Sequence, residues 1–231
     1  MRIGIMQPYF FPYIGYWQLT NAVDIFVIYD NIQYTKKGWI NRNRYLVNNT
    51  YKYFTIPIKG DSDYLDIIER QIADEFWRGK MLHQLDAAYK KAPFFIETFS
   101  LIEKIYNKKE KNLFLFLKYC IEEVAEYLSI ETDICISSDI SQDRSVKNEE
   151  RVICLCKEIG ADIYVNPCGG THLYHANKFK NNGMTLQFLF PVLKEYKQFN
   201  NKFIEGLSII DVLMFCGREK SKEMLDQYTL T

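Results

Sequence analysis

Apolar positions crowd into short, dense runs at both ends of the chain and spread to a three-and-four spacing through its middle. Arg2–Met6 reads as a short buried strand, followed by a turn rich in proline and aromatic residues and a helical segment over about 14–22. Residues 24–29 (DIFVIY) form a second strand, hydrophobic almost without interruption, as a strand covered on both faces should be. The spacing predicts a third strand over 51–58, closing around Pro57, and a short edge piece over 67–72. Three helices are expected at roughly 75–91, 94–107 and 111–128. The strand-helix rhythm then returns. Strands are expected at 133–137, 162–166 and 184–190, helices near 147–158 and 172–181, and a last helical region over 207–227.

Alternation of this kind predicts an α/β fold, a mostly parallel, Rossmann-like sheet flanked by helices, because parallel neighbours need right-handed crossover connections. With no linker-like tract, residues 1–231 are expected to form one domain, and 75–128 a helical insertion within it. Ligands of such sheets lie beyond the carboxyl ends of the strands. That rule directs attention to the segments 7–17 and 30–44.

Composition narrows the function classes. Hydrophobic residues make up 48% and charged residues 25%, which excludes disorder, while an aromatic share of 16% points to stacking surfaces. Twenty-nine basic residues balance twenty-nine acidic ones, so no global positive field draws the chain to DNA, and any anion site is local. The six cysteines include no CxxC pair and no signal peptide stands ahead of them, which implies reduced thiols and a cytoplasmic setting without a structural metal. The most apolar stretches, 113–117 and 209–215, fall far short of the roughly 20 residues of a bilayer span.

In the first segment, Gln7-Pro8-Tyr9-Phe10-Phe11-Pro12-Tyr13-Ile14-Gly15-Tyr16-Trp17, a strand turns through two prolines into a helix. Free amides at a helix start, with the helix dipole behind them, favour phosphate. Gln7, Pro12 and Gly15 are therefore binding candidates, with Gly15 permitting close backbone approach and Tyr16 offering a hydroxyl donor. A rigid aromatic turn packed on the sheet would account for the prolines but not for Gln7 at a strand end.

The second segment follows the second strand. Lys37, Arg42 and Arg44 are expected to clamp a diphosphate, Arg in bidentate fashion, while Asn41 and Asn43 offer amides to sugar hydroxyls and Trp39 or Tyr34 stacks on a ring. Gln33 adds a further polar contact. Asp30, at the strand end, is the candidate general base or Mg²⁺ ligand. A solvated basic hairpin is the plainer alternative, but the run Asn-Arg-Asn-Arg lacks acidic partners and Trp39 and Tyr34 suit a purely solvated loop badly.

A strand followed by a Pro-x-x-Gly turn resembles the opening of the nucleotidyltransferase and class I tRNA-synthetase superfamily, in which histidine normally follows the glycine; here Tyr16 follows Gly15. The runs QPYFFPYIGYW, DIFVIYDNIQYTKKGWINRNR and FNNKFIEGLSIIDVLMFCG, in that order, resemble the WbqC-like family over most of the chain. The resemblance implies a protein of O-antigen or capsule clusters for which transfer of glycine to an amino sugar has been suggested. It carries over Gln7, Pro8, Pro12, Gly15 and Tyr16; Asp30, Gln33, Tyr34, Trp39, Asn41, Arg42 and Arg44; and Ser208, Asp211 and Gly217.

Nearer the end, Asn166-Pro167-Cys168-Gly169-Gly170-Thr171-His172 leaves a strand, so Gly169, Gly170 and His172 are added as anion-binding candidates. His172 and His175 lack a third metal ligand, and Cys168 lacks a clear activator. Ser208 with Asp211 reads as a helix start.

Taken with these residues, the resemblance implies a transferase of surface-polysaccharide biosynthesis. In the expected mechanism the amine of a nucleotide- or lipid-linked amino sugar attacks an activated glycyl carbonyl, Asp30 takes the proton with Asn41 and Tyr16 beside it, and Arg42, Arg44 and Lys37 hold phosphate. The donor is either an aminoacyl-tRNA or an adenylate made from ATP with Mg²⁺. The rivals are a non-catalytic glycan-binding accessory protein and a nucleotidyltransferase.

Overall fold

The computed structural model describes residues 1–73, 77–141, 145–200 and 202–231. Strand β1 (Arg2–Met6) lies at the centre of a six-stranded sheet, with β2 (Ile25–Ile28) and β5 (Asp133–Ile136) on one side and β6 (Ile163–Pro167), β7 (Thr185–Pro191) and β8 (Tyr228–Leu230) on the other. The first five are mutually parallel and β8 closes the edge antiparallel to β7. The α/β class and mostly parallel sheet expected of the sequence are the ones found.

Strand order reverses beside β1. Chain segments moving outward through β2 use helix α1 (Ile14–Asn21), whose residues 14–20 are all buried and which gives Ile14, Tyr16, Trp17 and Leu19 to the core cluster on one face. Those moving through β6 and β7 use α5 (Asn148–Ile159) and α6 (Ala176–Asn181), which build a second cluster on the opposite face. Right-handed crossovers require this division. The buried Gln18 inside α1 finds partners for its amide nitrogen, which donates to the carbonyls of Met224 and Gln227, at 2.9 Å each.

The described residues between 30 and 132 enter the chain between the neighbouring strands β2 and β5. Helices α2 (Trp77–Tyr89), α3 (Phe95–Tyr106) and α4 (Leu113–Tyr127) match the three expected helices, although residues 75 and 76 of the first lie outside the described residues. Two expectations are corrected. The 51–58 strand does not join the main sheet: β4 (Thr50–Thr55) pairs antiparallel with β3 (Arg42–Val47), so the segment 30–44, expected to be a loop, is already strand from Arg42. The edge piece at 67–72 is a 3₁₀ turn (Ile67–Glu69) followed by isolated bridges at Gln71 and Ile72.

The final helix α7 (Ile209–Glu223) begins at Ser208, whose hydroxyl accepts from the Ile210 amide and donates to the Phe11 carbonyl. It kinks at Gly217, where the Phe94 ring lies so close that a methyl group would stand 2.6 Å from it. Among the described residues no helix is long and apolar enough to cross a membrane.

Candidate functional site

The turn leaving β1 divides its aromatic residues between two environments. Phe10 and Phe11 are driven into the helical core, Phe10 against Phe54, Trp77 and Phe116 and Phe11 stacked on Tyr106. Tyr9 and Tyr13 stay half-buried at the carboxyl end of the sheet. The turn is clamped from three sides. The Asn43 amide donates to the Phe10 and Phe11 carbonyls, the Trp17 indole to Pro12, and the Ile209 amide to Pro12.

Against this turn lies a pocket of about 290 Å³, lined by Tyr9, Pro12, Tyr13, Trp39, Asn43, Arg44 and Gly206. Arg44 is the only charged residue among the described residues that line it. One Nη of the guanidinium donates to the Gly206 carbonyl at 2.7 Å and the group lies over Trp39 and Tyr51, while its Nε has no partner. Burial raises the phenol pKa of Tyr9, and that of Tyr13 to about 12, with Cys168 and Tyr9 adding to the latter. Both phenols therefore keep their protons near neutrality and are available as hydrogen-bond donors. The wall unites an aromatic lining, one cation and two phenols.

Of the residues expected at the site, the pocket brings together Pro12, Trp39, Asn43 and Arg44. Gln7 is half-buried beside it, its carbonyl taking the Tyr16 hydroxyl at 3.2 Å. Gly15 lies under the Tyr13 ring, where a methyl group would stand 2.5 Å from it, so the glycine admits a side chain of the protein itself to the helix start.

The other candidates lie elsewhere. Tyr16 is a core residue against Phe26 and Trp17, and burial holds its phenol well above the ordinary value. Asn41 accepts from the Tyr34 hydroxyl and donates to the Ile56 carbonyl, bracing the hairpin. Arg42 turns back on its own loop, donating to the Gly38 and Lys37 carbonyls. Lys37 and Gln33 are exposed, and Gln33 donates to the Asp63 carbonyl.

Asp30, expected as a base open to substrate, is fully buried. Its Oδ1 takes the Ser137 hydroxyl at 2.7 Å and the Ser138 amide at 3.0 Å, and its Oδ2 is enclosed without a partner. Gly169 and His172 are exposed in the turn after β6, and Gly170 is buried against the Asn166 side chain; none lines the pocket. Among the described residues no group of three or more His, Cys, Asp or Glu is placed to hold a metal ion.

Three wall residues, Tyr9, Tyr13 and Gly206, were not singled out as site residues by sequence. The four-residue spacing of Tyr9 and Tyr13 around Phe-Phe-Pro carried a signal, and Asn43, expected to offer its amide to sugar hydroxyls, does line the pocket but spends that amide on the Phe10 and Phe11 carbonyls. Gly206, far along the chain from Arg44, carried none.

The family model described as the WbqC-like protein family matches residues 7–223. The chain belongs to that family. It is also 28% identical over 221 residues to the uncharacterized protein Rv1507c of Mycobacterium tuberculosis, a similarity covering 94% of this chain and 95% of that protein. No solved structure matches. The family match spans every pocket wall residue, since Tyr9 and Gly206 both fall within 7–223.

Proposed function

We propose that this WbqC-like protein is a cytoplasmic transferase of surface-polysaccharide biosynthesis that passes a glycyl group to the amine of a nucleotide- or lipid-linked amino sugar, with residues 1–231 acting as one unit. The observation that carries the reading is the joining of Arg44 with Trp39, Tyr9 and Tyr13 around one pocket beyond the end of β1. A guanidinium suits phosphate, aromatic faces suit a sugar or base, and protonated phenols suit hydroxyl or developing oxyanion oxygens.

In this reading the acceptor amine attacks the glycyl carbonyl, an amide forms, and the bond to the donor's oxygen breaks. Arg44 holds the phosphate and the rings fix the sugar, so the chain contributes chiefly orientation. Among the described residues no carboxylate or imidazole lines the wall, so in this reading the amine's proton passes to the departing oxygen or to water. Asp30 holds β2 to the segment after β5 rather than serving as base. An ATP–Mg²⁺ pair fits this pocket poorly: among the described residues its wall has no carboxylate, Asp30 is sealed, and the α1 start is covered by Tyr13. That weighs against nucleotidyl transfer.

A wall whose described residues include no carboxylate, imidazole or thiol also favours a second reading, a non-catalytic binder of activated sugars. A thermal-shift screen with UDP-, GDP- and dTDP-linked amino sugars and ATP tests the site, since ligand binding raises apparent stability by mass action. The expected result is stabilisation by a nucleotide-linked amino sugar, and a glycylated product by mass spectrometry when an activated glycyl donor is added. Binding without product selects the accessory reading, and stabilisation by ATP alone overturns both.

A further inference from the structure

The chain as a whole is neutral, but its charge is not evenly spread. Residues 31–60 hold six basic side chains, Lys36, Lys37, Arg42, Arg44, Lys52 and Lys59, and no Asp or Glu. Among the described residues, only Lys36 of the six has a carboxylate partner, Asp63 at 2.6 Å.

The hairpin arranges part of this segment on one face. Arg42 pairs with Thr55 and Arg44 with Tyr53, so both arginines and Tyr53 project to the same side, with Tyr51 two residues along. Arg42 lies 4.8 Å from the Tyr53 ring centre, and Arg44 lies 4.9 Å from Tyr51 and 5.3 Å from Trp39. Trp39 stacks on Tyr53 at 6.4 Å, and Tyr51 meets Tyr53 edge-on at 5.8 Å. Trp39, Tyr51 and Tyr53 nevertheless remain 38%, 39% and 46% exposed. Large aromatic side chains left in water beside uncompensated cations form a surface of the kind that takes stacked bases and their phosphates.

We propose that this hairpin face binds single-stranded nucleic acid, RNA above all, and delivers its end to the pocket. A lone nucleotide offers one base, whereas three exposed rings on one hairpin match a run of bases. Trp39 and Arg44 belong to both the face and the pocket, so a strand lying along the hairpin ends where the activated sugar is held. The inference rests on the transfer reading in one respect: it makes the glycyl donor an aminoacylated RNA 3′ end.

Fluorescence anisotropy with a short labelled single-stranded RNA, its DNA counterpart and the RNA duplex tests this on the full chain. The expected result is RNA binding that weakens steeply with salt and is weaker for the duplex. Tyr51→Ala and Tyr53→Ala should each weaken it about ten- to a hundredfold, while Ile96→Ala, at an exposed position on α3, leaves it unchanged. Circular dichroism and thermal melts confirm that the variants fold. Absence of binding at low salt, or binding that survives loss of both tyrosines, overturns the proposal, as does preference for heparin or anionic vesicles over RNA. Equal binding of DNA would keep the stacking face and remove the RNA preference. The two readings fail separately: RNA binding without any response to nucleotide-linked sugars removes the transfer reading, and the converse removes this one.

Discussion

The amide of Asn43 reaches back from the hairpin to the carbonyls of Phe10 and Phe11, at 3.0 and 2.8 Å, fixing the turn after β1 against β3. Phe11 holds a positive φ of 44°, a conformation a bulky residue adopts only when its surroundings enforce it. The same side chain accepts from the Arg44 amide, so one residue sets both the turn and the start of the pocket's arginine.

Replacing that amide should therefore be costly. Asn43→Ala strands the Phe10 carbonyl, while the Phe11 carbonyl keeps Ser208, and one buried acceptor left unmade costs roughly 1–3 kcal/mol. Asn43→Asp is expected to be worse, because it faces a carboxylate toward two carbonyl oxygens. Urea unfolding measures both; variants within about 0.5 kcal/mol of the parent would show that the clamp is dispensable.

A second prediction concerns pH. Asp211 is buried at the start of α7, where Tyr196 and Gln198 donate to Oδ1 at 2.6 Å each and Tyr89 donates to Oδ2 at 2.8 Å. Burial outweighs these three bonds and lifts its carboxyl from the ordinary 3.8 to about 6. The folded protein then binds a proton that the unfolded chain releases, so this group favours folding most below the unfolded value, and its contribution is lost as pH rises from about 4 to 6. The shift corresponds to roughly 3 kcal/mol. Denaturant midpoints across that window should fall with rising pH in the parent and flatten in Asp211→Asn; an unchanged slope in the variant would assign the effect to another group.

Much of the fold was legible because its strands advertise themselves. The run IFVI in β2 and the apolar spacing of α3 and α4 leave little choice of period. Strand β3 escaped because Arg42-Asn43-Arg44 reads as a solvated loop, although Asn48 and Asn49, with φ of 44° and 63°, are the positive-φ pair of a two-residue hairpin turn. The candidate site was legible only by segment. Arg42 and Arg44 look equivalent in one dimension, and nothing local distinguishes the arginine that reaches Gly206 from the one that curls back to Gly38. Asp30 illustrates the same limit, since its position at a strand end was readable but the serines that enclose it lie more than a hundred residues away.

Gly15 offers a test that separates binding from stability. Ala is the better helix former, yet a methyl group there would meet the Tyr13 ring at 2.5 Å and drive it toward the pocket. Gly15→Ala is expected to keep its melting temperature within a few degrees of the parent while losing most of the stabilisation given by a nucleotide-linked sugar. A variant that binds as well as the parent would show that Tyr13 has room to move elsewhere.

The two hairpin arginines give the sharpest contrast. The Arg42 guanidinium is occupied by backbone carbonyls of its own loop, whereas Arg44 lines the pocket with one bond to Gly206 and a buried Nε that has no partner among the described residues. Arg44→Ala should therefore abolish the thermal shift produced by a nucleotide-linked sugar. Arg42→Ala should loosen the 37–42 loop and lower the melting temperature but preserve that shift. Arg44→Lys keeps the positive charge but lacks the planar fork that spans a carbonyl and a phosphate together, so an intermediate, more salt-sensitive response is expected. Equal losses from Arg42→Ala and Arg44→Ala would mean that the phosphate lies along the hairpin rather than in the pocket.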